Sequence, residues 1–125
     1  MRSLFSCLVV LLALSPLACA DEDEGLSVDV ACDAYSDKAV ECLSDDPLND
    51  DNIKAAATTN CVDGIGDAEA ENPDNRACHQ AIRRFFMCSG TDTTCTEFET
   101  GMYMPQTCES EVYDVLEFCD NFPFG

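Results

Sequence analysis

The chain has 125 residues, 25 of them acidic and six basic, giving a formal net charge of −19. A surface of that sign repels phosphate, so nucleic acid and anionic lipid are poor partners, and a protein with a cationic surface is the better fit. Ten cysteines, one histidine and no tryptophan describe one cysteine-rich domain with a modest core.

Residues 1–20, MRSLFSCLVVLLALSPLACA, read as an export signal. Arg2 supplies the positive start, Leu4 to Leu14 the apolar core, and Ala18-Cys19-Ala20 a small-x-small cleavage site. The apolar run is shorter than the roughly 20 residues a membrane span needs, and DEDE follows at once. Leu17-Ala18-Cys19 resembles the end of a bacterial lipobox, with Pro16 where that pattern carries Leu. The resemblance implies acylation of Cys19; ordinary cleavage after Ala20 is the other reading, and both export the chain. Membrane contact is expected only through a lipid on Cys19.

All 25 acidic residues lie beyond residue 20, against five basic ones: Lys38, Lys54, Arg76, Arg83 and Arg84. Residues 21–30 (DEDEGLSVDV) form a charged, loose leader. Residues 31–125 form the domain, in which four segments carry helical periodicity. The first, about 31–43, aligns Cys32, Tyr35, Ala39, Cys42 and Leu43 on one face. After the turn DDPLNDD, a second runs from about 50 to 63, with Ile53, Ala57 and Cys61 in register and Gly64 and Gly66 as its stop. Asn72-Pro73 opens the third, which carries Cys78, Ala81, Ile82, Phe85 and Cys88 to about Ser89, where Gly90 ends it. Residues 90–104 are expected to be a loop tethered through Cys95. The fourth runs from about 105 to 120 with Cys108, Val112, Val115, Leu116 and Cys119 on one face. The alternating runs of a β-sandwich are missing.

Cys7 leaves with the signal and Cys19 is removed or acylated. Cys32, Cys42, Cys61, Cys78, Cys88, Cys95, Cys108 and Cys119 remain, an even number that reads as four disulfides in an oxidising compartment. Helix geometry limits the pairing. Cys32/Cys42, Cys78/Cys88 and Cys108/Cys119 stand roughly 15–16 Å apart along their axes, and a disulfide needs Cα atoms within about 7 Å. The short turn between the first two helices makes them antiparallel, which brings Cys32 beside Cys61; the other three bonds stay unassigned.

The segments ACDAYSDKAVEC (31–42) and ACHQAIRRFFMC (77–88) align at an offset of 46, and Cys61 then falls one residue from Cys108, the pattern of a duplicated hairpin. The two C-x9-C helices also resemble the twin motif of the coiled-coil-helix family of the mitochondrial intermembrane space. Here 35 residues separate the motifs where that family has a short loop, so what is shared is a way of stapling helices.

No catalytic residue, cofactor site or metal site is expected. His79 after Cys78 is similar to the histidine on the disulfide-bonded helix of secreted phospholipases A2. Gln80 stands where those enzymes carry Asp, and their Gly-rich calcium loop is missing. Nucleophile-elbow, zincin, P-loop and dinucleotide-binding motifs do not occur. The cysteine spacings are too wide for zinc, and DDPLNDDN (45–52) and DAEAENPD (67–74) lack the EF-hand order. Arg76, Arg83 and Arg84 with Phe86 form the one basic-aromatic cluster. It is a candidate contact patch, unless the arginines pair with acidic neighbours in the same molecule.

The sequence thus predicts an all-α, disulfide-stapled bundle of about four short helices. It is expected to be an exported, non-catalytic interaction or structural module of the bacterial envelope or the medium. The alternative is a secreted cysteine-rich ligand acting on a protein receptor.

Overall fold

A computed structural model describes residues 25–100 and 105–121. The export segment with Cys7 and Cys19, the acidic residues 21–24, and residues 101–104 and 122–125 lie outside the described residues. The described chain is all-α: five helices and two 3-10 turns, cross-linked by four disulfides.

Helix α1, Val28–Leu43, starts three residues before the periodicity places it. The cause is local. The Ser27 side chain accepts from the Val30 N–H and caps the helix. Just upstream, the Gln80 amide clamps Leu26, accepting from its N–H (2.7 Å) and donating to its carbonyl (3.2 Å). The buried face is Ala31, Cys32, Ser36 and Ala39. The Ser36 hydroxyl donates to the Asp33 carbonyl, so its burial leaves no unmet donor. After a 3-10 turn, Pro47–Asn49, whose cap is Asp46, α2 spans Asp50–Ala70.

Gly64 and Gly66 do not end α2, contrary to the sequence expectation; both lie inside it. A helical glycine costs about 1 kcal/mol relative to alanine, and the last two turns recover that through burial of Ile65 and Ala68 and the bond from Arg83 to Glu69. Nor does Pro73 open the next helix. Asp74 takes a left-handed φ of 62°, and Asn75 caps α3, Arg76–Thr91, by accepting from the Cys78 N–H.

The buried stripe of α3 is Cys78, Ala81, Ile82, Phe85 and Cys88, as the periodicity gives it, with Ser89 added. Gly90 is a helical residue and not a stop. A Cβ there would lie 2.4 Å from the Ala34 carbonyl carbon and 2.5 Å from the Tyr35 nitrogen. The glycine therefore marks where α3 crosses the backbone of α1. In the expected loop a short helix, α4, spans Cys95–Glu99 and is closed by a capping box between Thr94 and Glu97. A second 3-10 turn, Gln106–Cys108, leads into α5, Glu109–Phe118. Val112 and Val115 are buried, but Leu116 is 47% exposed and Cys119 follows the helix.

The four bonds are Cys32–Cys61, Cys42–Cys95, Cys78–Cys119 and Cys88–Cys108, with Cα separations of 5.5, 5.1, 4.7 and 6.0 Å. The expected Cys32–Cys61 bond is present and the three pairs excluded by helix length are not. The apparent duplication does not extend to the cross-links. In the first segment the leading cysteine, Cys32, bonds the downstream Cys61, whereas in the second the trailing cysteine, Cys88, bonds Cys108. No bond joins the two C-x9-C helices. The cross-links instead define two sets: α1 with α2 and α4, and α3 with both ends of α5. The sets meet where α3 packs on α1 and α2.

Candidate functional site

The chemistry-bearing side chains that stand out in the sequence gather on the polar side of α3. Arg76 is its first residue, His79 and Gln80 follow one turn later, and Arg83 a turn after that. Periodicity puts Arg76 and Arg83 in line, since seven residues make almost two whole turns.

His79 is held as a structural donor. Its Nε2 lies 2.8 Å from the Asn72 carbonyl and 3.2 Å from the Glu69 carbonyl. Carbonyls only accept, so Nε2 carries a proton and donates. The ring thereby satisfies carbonyls at the C-terminal end of α2. Arg83 donates from Nε to Glu69 Oε1 at 2.7 Å and from Nη1 to the Leu26 carbonyl at 3.1 Å. Gln80 is engaged by the backbone of Leu26. These three side chains fasten α3 to the end of α2 and to the segment entering α1.

The candidate contact patch is divided by this geometry. Arg76 and Arg83 line a cleft of about 390 Å³ together with Gly25, Ser27, His79 and Gln80. Arg84 is exposed and lies about 100° further round the helix from Arg83. Phe86 is half-buried, stacked edge-on against Tyr35 (5.5 Å between centroids) and Phe85 (5.6 Å). It is a packing residue under α1, not an exposed aromatic.

A second concavity of about 270 Å³ lies between α1, α2 and α4. It is mainly apolar, with Tyr35, Leu43, Ile53 and Phe98 on its walls. Beside it Lys54 bridges Asp37 (2.9 Å) and Asp33 (3.4 Å). The hydrogen bond to Asp37, then the one to Asp33, raises the Lys54 pKa above its ordinary value. Lys38 pairs with Glu41. Glu97 accepts from the Thr107 hydroxyl at 2.7 Å, which, ahead of its bonds to Thr94, holds its carboxyl below the ordinary value.

The acidic clusters have local duties. Asp46 caps the first 3-10 turn, Asp50 accepts from the Ser44 hydroxyl, and Asp50 and Asp51 sit at the positive end of α2. Cys88, Cys108 and Glu111 come within 4.8 Å of one another, but the two sulfurs are bonded to each other and cannot bind metal as thiolates. Of the eight predicted disulfide cysteines all are bonded; Cys19 lies outside the described residues.

Sequence reasoning missed Gln80 as the clamp on Leu26 and Asn72 as a tie. Asn72 is buried, donates to the Asn121 carbonyl and accepts from the Asn121 N–H. Neither pairing leaves a local signal, because the partners are 54 and 49 positions away. The small helix α4 did leave one, the Thr94-x-x-Glu97 spacing of a capping box. Comparison with protein-family models, curated proteins and solved structures finds no match.

Proposed function

We propose that the protein is an exported, non-catalytic interaction module: an acidic scaffold, held rigid by disulfides, that engages a protein partner through the partner's cationic surface. The observation that carries this reading is the pairing of eight cysteines into four disulfides beneath a strongly acidic exterior. Four such bonds indicate an oxidising environment, and among the described residues no helix is long and apolar enough to cross a membrane. His79, Arg83 and the cysteines, the side chains that most often carry chemistry, are engaged in holding the fold.

The export signal and the two fates of Cys19 belong to the same proposal. An intact mass of the protein, taken from each cellular fraction and from the medium, tests it. The expected result is a chain shortened by the signal, with no free thiol before reduction and eight after. A mass beginning at Asp21 makes the module diffusible; a diacylglyceryl group on Cys19 makes it resident on a membrane. Full-length, reduced chain retained inside the cell overturns export. The partner is tested by cross-linking in the compartment where the chain is found. Basic proteins should be captured and released near 1 M salt, where the Debye length is about 3 Å; capture that salt does not weaken overturns the electrostatic reading.

A further inference from the structure

The groove between α1, α2 and α4 is an apolar feature on an acidic molecule. Among the described residues its walls are Tyr35, Leu43, Ile53 and Phe98, with Ala39 and Ala57 between them. The two alanines are buried, whereas Leu43 is 49% exposed. Such small side chains leave room for larger ones from outside. Tyr35 packs on Phe98 with ring centroids 5.0 Å apart, and the Cys42–Cys95 bond fastens α4 beside α1. The wall that α4 supplies is therefore fixed before anything binds. The groove's volume, about 270 Å³, falls below the roughly 300–1,000 Å³ of small-molecule pockets. Its length suits a helix better. Tyr35 and Leu43 are eight positions apart on α1, about 12 Å at 1.5 Å per residue. A helix seated in a groove anchors itself at i, i+3 or i+4, and i+7, a span of about 10.5 Å.

The charge beside the groove selects the kind of helix. Between Leu43 and Ile53 the chain carries Asp45, Asp46, Asp50 and Asp51; Asp50 is half-buried and the other three are exposed. The positive end of the α2 dipole, about half an elementary charge, offsets only part of these four. Lys54, next to Ile53, is bonded to Asp33 and Asp37, and Lys38 to Glu41, so carboxylates match the charge of both. Leu48 stands among the aspartates, 86% exposed in the turn that joins α1 to α2. A second copy of the chain would bring charge of the same sign, since the described residues carry 21 acidic side chains against five basic ones. From this geometry we infer that the groove receives an amphipathic helix of a cationic protein. The helix lays its apolar stripe between α1 and α2, and its lysines or arginines meet Asp45, Asp46 and Asp51. The inference rests on the proposed interaction function and names its surface.

The probe is a synthetic helical peptide of leucine and lysine, about five turns long, with its leucines along one face. An isomer of the same composition, with leucines spread around the helix, has the same charge and no stripe. Each is titrated into the oxidised, isotope-labelled protein, and amide shifts are followed along the whole chain. Leu43→Asn removes a groove wall; Leu116→Asn makes the same change on α5, at a leucine of matched exposure, 47% against 49%. Both side chains lie outside the core, and dispersed amide spectra check that each variant folds. The expected result is saturable shifts at Ala39, Leu43, Ile53 and Ala57, weakened at least fivefold in Leu43→Asn and less than twofold in Leu116→Asn, with the isomer at least tenfold weaker. Absence of saturable shifts, an isomer that binds as tightly, or equal weakening in the two variants overturns the inference. Groove shifts that appear on concentrating the protein alone, with a dimer mass in sedimentation, overturn it in favour of a second copy. Salt-sensitive binding with shifts outside the groove overturns this surface and leaves the cationic-partner reading standing; that reading fails separately, when a captured partner resists salt.

Discussion

Gly90→Ala tests the crossing of α3 over α1. In an ordinary exposed helix this change stabilises, by about 0.5–1 kcal/mol, because alanine loses less backbone freedom on folding. At Gly90 the added carbon would meet the Ala34 carbonyl carbon at 2.4 Å, the Tyr35 nitrogen at 2.5 Å and the Ala34 oxygen at 2.6 Å. Ordinary contact begins at 3.4 Å, so the helices must part by about 1 Å. All three atoms are backbone, and no side chain can rotate away. Overpacking of this kind costs about 1–3 kcal/mol. Three backbone atoms within 2.6 Å of the new carbon favour the upper half of the range. The net expectation is a loss of about 1–2 kcal/mol, or a fall in Tm of roughly 4–16 °C at about 4–8 °C per kcal/mol for a domain near this size. Gly66→Ala is the matched control. It has the same helix interior and the same chemistry but nothing within 4 Å of the new carbon, and it should gain about 0.5–1 kcal/mol. Urea unfolding of the oxidised variants measures both. If Gly90→Ala proves as stable as the parent while Gly66→Ala gains, the close approach is not why residue 90 is glycine.

Removing the His79 ring by H79A should cost about 1–2 kcal/mol, through loss of its bonds to the Glu69 and Asn72 carbonyls. The increase in amide exchange should centre on residues 69–75; a variant as stable as the parent would falsify the capping role. Limiting reductant followed by alkylation should label Cys42 and Cys95 first, because of the four bonds theirs is the one with both ends partly exposed; earlier labelling of Cys32 or Cys61 would refute exposure as the determinant. Acidification should loosen α4 before the rest. The folded Glu97 pKa is lowered from 4.5, so its contribution is present above the unfolded value and is lost as pH falls through the folded one. Exchange at Thr94 and Thr107 should rise below pH 4.5 in the parent and be already fast in Glu97→Ala; an equal acid response in both chains would locate the effect elsewhere.

The helices were legible because their buried stripes repeat at 3.6 residues: Cys78, Ala81, Ile82, Phe85 and Cys88 are core in the structure as in the pattern. The Cys32–Cys61 bond was legible because a short turn makes an antiparallel pair and helix rise forbids the nearer alternatives. The helix ends were not. Glycine reads as punctuation at positions 64, 66 and 90, where tertiary contact overrides it: Ile65 and Ala68 bury the last turns of α2, and Gly90 answers to a backbone 55 positions away. The three remaining disulfides were hidden for a related reason. Two of them bracket α5 against α3 and one ties α4 to α1, and α4 itself lies in a Thr- and Gly-rich stretch that reads as a loop. The arginine cluster was visible as composition, but whether Arg83 faces outward depends on Glu69, fourteen positions upstream.

The cross-links leave one seam without a covalent staple. No disulfide joins α1, α2 and α4 to α3 and α5, so those two sets are held together by packing, by the connecting segments and by polar ties. Those ties include two residues that look functional in the sequence, Arg83 and His79: Gln80 and Arg83 bind Leu26, Arg83 binds Glu69, and His79 binds the end of α2. Glu97 to Thr107 and Asn72 to Asn121 close the same seam elsewhere. A seam of this kind is where the molecule yields first under stress that spares disulfides, because a staple restrains only the elements it joins. The cleft opens on this seam, with Gly25 and Ser27 on one wall and Arg76, His79, Gln80 and Arg83 on the other. Low denaturant, which spares the disulfides, should therefore speed amide exchange first at Leu26, Glu69 and Asn72, while the exchange of amides within each stapled set changes less.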